Sequence, residues 1–179
     1  MTLAVELRSF DGRLNRAEFD SGVPALDEWL RLHAGQHEKR GTSRTYVLTP
    51  ARVDLDAWSA AGFAVTEDSI LGFFSLSAAQ IPLPSLPAGS RLPRSVAAAR
   101  LGRLAISKSM QGRGLGRRLL MEAIVITAEA SALLGIGGLF VDAKDDVAAG
   151  FYQKFGFQPG QDDPHKLWMN LASIHAFMK

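Results

Sequence analysis

Apolar positions recur at helical spacing in PALDEWLRLHAGQHEKR (residues 24–40), where Leu26, Trp29, Leu30 and His33 fall on one face. Pro24 suits a helix's first turn, and Asp20, Ser21 and Gly22 ahead of it offer capping groups. Around this helix the pattern shortens to strands. Residues 3–8 (LAVELR), 45–49 (TYVLT), 70–77 (ILGFFSLS, apolar enough to be buried) and 100–107 (RLGRLAIS) each read as one. Residues 50–69 form an inserted connection with a short apolar piece around Trp58. The segment PLPSLPAGSRLP (82–93) carries too many prolines for regular structure.

The C-terminal half alternates. A glycine-rich turn, Gln111 to Gly116, leads into RRLLMEAIVITAEASALLG, a long helix that Gly135 is expected to close. Residues 138–143 (GLFVDA) return as a strand. Residues 145–155 (DDVAAGFYQKF) form a shorter helix with its acids at the start, where the macrodipole favours them. Gly156 ends it, Phe157 begins a strand, and residues 166–171 supply the last. Strands first, then strand–helix–strand–helix–strand, predicts an α/β (α+β) fold: a mixed central sheet flanked by helices on both faces. The length of 179 residues fits a single domain, 1–179.

Composition removes whole classes of chemistry. With 47% hydrophobic and 21% charged residues the chain can bury a core. Cysteine is absent, which excludes disulfides, thiolate nucleophiles, iron–sulfur clusters and cysteine zinc sites. His33, His37, His165 and His175 show no H-E-x-x-H spacing, so no metal is expected. No apolar run approaches the roughly 18–20 residues that span a bilayer, and the N-terminus lacks a signal-peptide pattern. The expectation is a cytoplasmic protein with no membrane role.

The net charge of +2 hides an uneven distribution. Residues 69–121 hold no carboxylate side chain, yet they carry Arg91, Arg94, Arg100, Arg103, Lys108, Arg113, Arg117 and Arg118. A second cluster, Arg31, His33, His37, Lys39, Arg40 and Arg44, is opposed only by Glu38. Of the 20 lysines and arginines, 14 are arginine, the side chain suited to bidentate phosphate contacts. A scattered set would be a solvated face; a stretch this long without an acid points to an anionic partner.

Strand, then Gln-Gly-Arg-Gly-Leu-Gly, then helix is a phosphate cradle. The first N–H groups of a helix lack acceptors, and its dipole favours anions. Gly112, Gly114 and Gly116 let backbone approach a pyrophosphate, and Arg113 and Arg117 add charge. The spacing matches neither a P-loop nor a dinucleotide fingerprint, because the glycines alternate.

RLAI-x-x-x-x-QGRGLG resembles the acetyl-CoA-binding segment of the GNAT N-acetyltransferases, and LFVD (139–142) followed by FYQKFGF (151–157) resembles the family's later elements. FDSGVPALDEWLR, ILGFFSLS, RLGRLAI and VDAKDD are similar to GNAT toxins of type II toxin–antitoxin modules, although residues 50–69 are longer than the tight hairpin of those toxins. The resemblance implies that backbone groups of Leu104, Ala105 and Ile106 pair with the pantetheine arm of acetyl-CoA. Gln111, Gly112, Arg113, Gly114, Leu115, Gly116 and Arg117 would hold its pyrophosphate. Tyr152 matches the tyrosine that donates a proton to the departing CoA thiolate, against its plainer reading as a core aromatic among Phe151, Phe155 and Phe157. It also implies acetylation of aminoacyl-tRNA, a ribbon-helix-helix antitoxin partner and a homodimer.

An α-amine has a reference pKa of about 7.7–8.0 and is partly neutral near pH 7, whereas a lysine amine near 10.4 would benefit from a base. The acid-free stretch supplies none, with Glu67 and Asp68 the nearest candidates. Arg31, Lys39, Arg40, Arg44, Arg91, Arg94 and Arg100 are left over as candidate tRNA phosphate contacts. Two other readings remain: acetylation of a small-molecule or protein amine, with Asp142, Asp145 and Asp146 lining its pocket, and a non-catalytic acetyl-CoA sensor or nucleic-acid module.

Overall fold

Seven strands, β1 (Val5–Ser9), β2 (Arg44–Pro50), β3 (Gly72–Pro82), β4 (Ser95–Ile106), β5 (Gly138–Asp142), β6 (Gln158–Pro159) and β7 (Lys166–Asn170), hydrogen-bond in the order β1-β2-β3-β4-β5-β7-β6, in a computed structural model that describes residues 2–179. They belong to two compact units. One runs to Ser75 and takes in Arg103–Glu122; the other comprises Leu76–Gly102 and Ala123–Lys179. Parallel and antiparallel pairs both occur, giving the mixed α/β sheet flanked by helices that the pattern predicts.

In the first unit, β1 (Val5–Ser9) pairs antiparallel with β2 (Arg44–Pro50), Val5 opposite Pro50 and Ser9 opposite Tyr46. Between them the single helix expected over 24–40 is two: α1 (Pro24–Leu32) and α2 (Ala34–Arg40). His33 breaks the helix at φ −116°, and the bend turns Ala34 into the core while His33 stays exposed. The anticipated cap is also different. Val23 stands at the N-cap with no side-chain bond. Asp27 of α1 instead reaches back, and its Oδ1 accepts from the Ser21 N–H at 2.9 Å and the Ser21 hydroxyl at 2.6 Å. Trp29 stacks on Phe73 (6.0 Å between centroids), Phe19 meets Phe73 edge-on, and Leu30, Val47 and Ala105 close the cluster.

The connection at 50–69 is folded. A 3-10 turn (Arg52–Asp54) precedes α3 (Leu55–Ala60), whose Trp58 is buried. Trp58 Nε1 donates to the Ala4 carbonyl at 3.0 Å, and the Ala4 N–H donates to Asp54 at 2.7 Å, which ties the segment to the start of the chain.

Two strands outrun their expected lengths: β3 is Gly72–Pro82 and β4 is Ser95–Ile106. After the glycine turn, α4 spans Leu115–Leu133 and stops short of Gly135, which is not among the glycines with positive φ. In the second unit β5 (Gly138–Asp142) lies parallel to β4, in register from Ala99–Leu139 to Leu101–Val141. Helix α5 (Asp146–Gln153) is capped by Asp145, which accepts from the Ala148 N–H at 2.8 Å. Gly156 at φ +93° then turns the chain out of the helix, a conformation only glycine adopts readily. Strands β6 (Gln158–Pro159) and β7 (Lys166–Asn170) follow. A last helix, α6 (Leu171–Phe177), was not legible as one; Asn170 caps it and Ile174 anchors it in the core. No helix of the described residues is long and apolar enough to cross a membrane.

Candidate functional site

The glycine turn joins the end of β4 to α4 through a 3-10 turn, Lys108–Met110. Gly112 (φ +75°) and Gly114 (φ +80°) occupy the left-handed region, and a Cβ built on either meets nothing within 4 Å. The turn is thus shaped by backbone conformation and faces open space. The Arg118 N–H donates to the Gly114 carbonyl at 3.1 Å, so α4 starts there and the N–H groups ahead of it have no helical acceptor. Arg113 and Arg117 are exposed beside them. An exposed run of N–H donors, a helix dipole and two guanidiniums fit a pyrophosphate.

Gln111 does other work. Its Nε2 donates to the Ser21 carbonyl (2.9 Å) and the Ile106 carbonyl (3.0 Å), so both amide protons pin the turn to the loop before α1 and to β4. Leu104, Ala105 and Ile106 lie beyond the Ala99–Leu101 stretch of β4 that pairs with β5, and Ala105 is buried in the first unit's core. A strand continuing beyond its neighbour offers main-chain donors and acceptors to an extended ligand.

Tyr152, in the second unit, sits on the buried face of α5 with 8% of its surface exposed. Its ring meets Phe151 and Phe157 edge-on, at 5.2 and 5.6 Å. Burial pushes the phenol up from its usual 10 to about 12, so the proton stays on throughout the neutral range. Among the described residues no group is hydrogen-bonded to the hydroxyl. A protonated phenol without an acceptor is a donor in waiting, and it cannot be a general base at neutral pH.

The carboxylates offered as bases or pocket walls are taken. Glu67 pairs with Arg52 at 3.0 Å, and Asp68 with Arg8 at 3.3 Å. Asp142 holds Arg100 at 2.6 Å, Asp145 caps α5, and Asp146 bonds His165 Nε2 at 2.6 Å. The same ledger changes the list of cations. Arg44 is paired with Glu38 (2.9 Å) and Arg100 with Asp142, so these two are less available as phosphate contacts than their sequence context indicates. Arg31, Lys39, Arg40, Arg91 and Arg94 join no ion pair among the described residues. Arg31 and Lys39, in the first unit, line a groove of ≈ 440 Å³ together with Phe10, Arg16 and Leu32, and with two acids, Asp11 and Glu38. Arg91, in the second, lines a pocket of ≈ 370 Å³ with Ser90, Gln158 and Asn170.

Two contacts escaped sequence reasoning. The Arg103 guanidinium lies 4.1 Å from the Trp29 ring centroid, and that of Arg113 lies 4.8 Å from the ring of Phe63. The alternation of Leu101, Arg103 and Ala105 along β4 could have placed Arg103 toward the α1 face; nothing local signals Phe63. No group of three or more histidine, aspartate or glutamate side chains among the described residues could hold a metal.

The profile of the acetyltransferase (GNAT) domain matches residues 59–159. A tRNA-acetylating toxin of Mycobacterium tuberculosis is 30% identical over 162 residues, covering 89% of this chain and 88% of the relative. Among solved structures, AtaT complexed with acetyl-methionyl-tRNAfMet superposes with a TM-score of 0.83 at 26% identity, over 98% of this chain and 100% of that one. A tyrosine-to-phenylalanine mutant of the AtaT toxin, bound to the C-terminus of the antitoxin AtaR and acetyl-CoA, gives 0.78 at 26% identity, over 98% of each. A domain match across more than half of the chain, and a relative similar along most of its length, agree with the strand, glycine turn and helix. The chain belongs to the GNAT acetyltransferase family and is an N-acetyltransferase that takes its acetyl group from acetyl-CoA.

Proposed function

We propose that this chain is a toxin that acetylates the α-amino group of aminoacyl-tRNA and so blocks translation. The observation that carries the reading is the fate of the charges. The carboxylates that could receive a cationic amine are each bound to an arginine, a histidine or a helix end, whereas Arg31, Lys39, Arg40, Arg91 and Arg94 keep their charge for an anion. A small polyamine would be repelled by such a surface, and RNA phosphates would be drawn to it. The similar toxin of M. tuberculosis and the AtaT–tRNA complex support the same substrate.

Acetyl-CoA supplies an activated thioester. In this reading Gly112–Arg117 grip its pyrophosphate, and the β4 backbone from Leu104 to Ile106 aligns the pantetheine arm as an added strand. The amine attacks the thioester carbonyl directly, because an α-amine with a pKa near 7.7–8.0 is partly neutral at pH 7 and needs no carboxylate. Tyr152 donates its phenolic proton toward the departing sulfur, and the proton shed by the attacking nitrogen as the amide forms restores the phenol, so CoA leaves as the thiol. An antitoxin partner follows from the AtaT–AtaR likeness. Its ribbon-helix-helix type and a homodimeric toxin rest on the resemblance of the motifs, and the cytoplasm is the compartment where the substrate occurs.

Labelled acetyl-CoA, incubated with the purified protein and charged tRNA, should transfer label to the aminoacyl group, and in vitro translation should stop only when acetyl-CoA is present. Arg91→Ala/Arg94→Ala should weaken tRNA binding and flatten its salt dependence by about 0.9 per lost phosphate contact on a duplex stem, with acetyl-CoA binding unchanged. Label on polyamines or protein lysines but never on aminoacyl-tRNA would hand the function to the small-molecule or protein reading.

A further inference from the structure

We propose that the folded connection at residues 52–69 belongs to the acetyl-CoA site: a pocket beside Arg113 takes the adenine ring, and Phe63 positions the arginine. The inference rests on the glycine turn holding the pyrophosphate. The pocket, ≈ 270 Å³, is lined by Arg113 and Leu115 of that turn, by Met110 just before it, by Leu3 and Val5, and by Trp58 of α3. It is therefore continuous with the phosphate cradle. Its walls are apolar apart from Arg113 and the Thr2 hydroxyl, the chemistry that suits a flat heteroaromatic ring with a polar edge.

Phe63 explains how the arginine is aimed. Gly62 at φ +88° turns the chain after α3, the Phe63 N–H donates to the Trp58 carbonyl at 3.1 Å, and the Phe63 ring stands edge-on to Trp58 at 5.4 Å. That fixed ring faces the Arg113 guanidinium at 4.8 Å. An arginine stacked on an aromatic loses less freedom when it meets a phosphate. Trp58 is itself bonded to the Ala4 carbonyl, so the wall is anchored to the residue just before the chain's first strand.

Isothermal titration with CoA and with 4′-phosphopantetheine, which keeps the arm and a phosphate but lacks adenosine, separates the possibilities. Leu3→Trp fills the pocket and should weaken CoA about ten-fold while leaving phosphopantetheine where it was. Phe63→Leu should weaken CoA about two- to five-fold and Phe63→Tyr should restore it; because Arg113 acts on phosphate, phosphopantetheine should weaken by no more than that. With circular dichroism showing folded variants, unchanged CoA affinity in both Leu3→Trp and Phe63→Leu overturns the proposal, as does equal weakening of both ligands by Leu3→Trp. Gly114→Val keeps the two readings apart: if it leaves both ligands unaffected, the turn itself is misassigned, whereas if it weakens both and Leu3→Trp weakens neither, only the adenine pocket fails.

Discussion

Replacing Tyr152 by phenylalanine removes one hydroxyl from a ring that is otherwise packed, and the structure sets two opposite expectations for it. The edge-on contacts with Phe151 and Phe157 survive, so no cavity forms. The lost hydroxyl has no hydrogen-bond partner among the described residues, so its removal exposes no unpaired group and folding stability at pH 7 should stay within about 0.5 kcal/mol of wild type. At alkaline pH the variant should become the more stable protein. The phenol is raised by burial from 10 to about 12, so the native state resists losing a proton that the unfolded chain gives up readily. A group raised in the folded state contributes stability that is complete below the unfolded value and is lost as pH climbs through the folded one. The window is therefore pH 10–12, and the two units amount to about 2.7 kcal/mol when fully developed, about 1.4 kcal/mol at pH 11. Catalysis should move the other way, kcat falling about 10²- to 10⁴-fold with acetyl-CoA affinity unchanged. Paired denaturant melts at pH 7 and 11, titration calorimetry and single-turnover acetyl transfer measure all three. Normal turnover in Tyr152→Phe, or a large loss of stability at pH 7, would refute the argument and return the residue to a packing role.

Gly114→Val should weaken acetyl-CoA binding by distorting the turn and not by collision, since the open space around its Cβ leaves only the φ of +80° to resist a side chain; the strain costs about 1–2 kcal/mol of stability, readable in a melt. Asp27→Ala should cost about 2–3 kcal/mol, because it strands the Ser21 N–H and hydroxyl beside α1, and Asp27→Asn should recover part of that in the same urea titration. His165 is raised by its hydrogen bond to Asp146, so the pair supports the fold fully below the ordinary histidine value near 6.5 and the support fades as pH rises through the higher folded value. In an NMR titration Asp146→Asn should bring His165 back toward its ordinary midpoint, and an unmoved midpoint would assign the shift to other groups.

The alternation of apolar and polar positions was enough to place the strands, although β3 runs five residues past its expected end and β4 starts five before its expected start, and the acid-started helix expected at 145–155 followed from spacing. These features are local: a helical face repeats every three to four residues, a strand every two, and a left-handed turn asks for glycine at particular positions. The glycine turn was legible for the same reason, since Gly112, Gly114 and the helix after them are contiguous in the chain. Tertiary structure decided the rest. The break at His33 comes from where the core receives Ala34, not from a breaker residue. Arg100 meets Asp142 and Arg8 meets Asp68 across some forty and sixty residues, separations at which a sequence carries no sign of who neutralises whom. Arg113 and Phe63 meet only because the connection at 50–69 folds back against the start of the chain through Trp58 and Ala4. Charge in a sequence is a count of groups; which of them remain open to a phosphate is a property of distances, and only the fold supplies those.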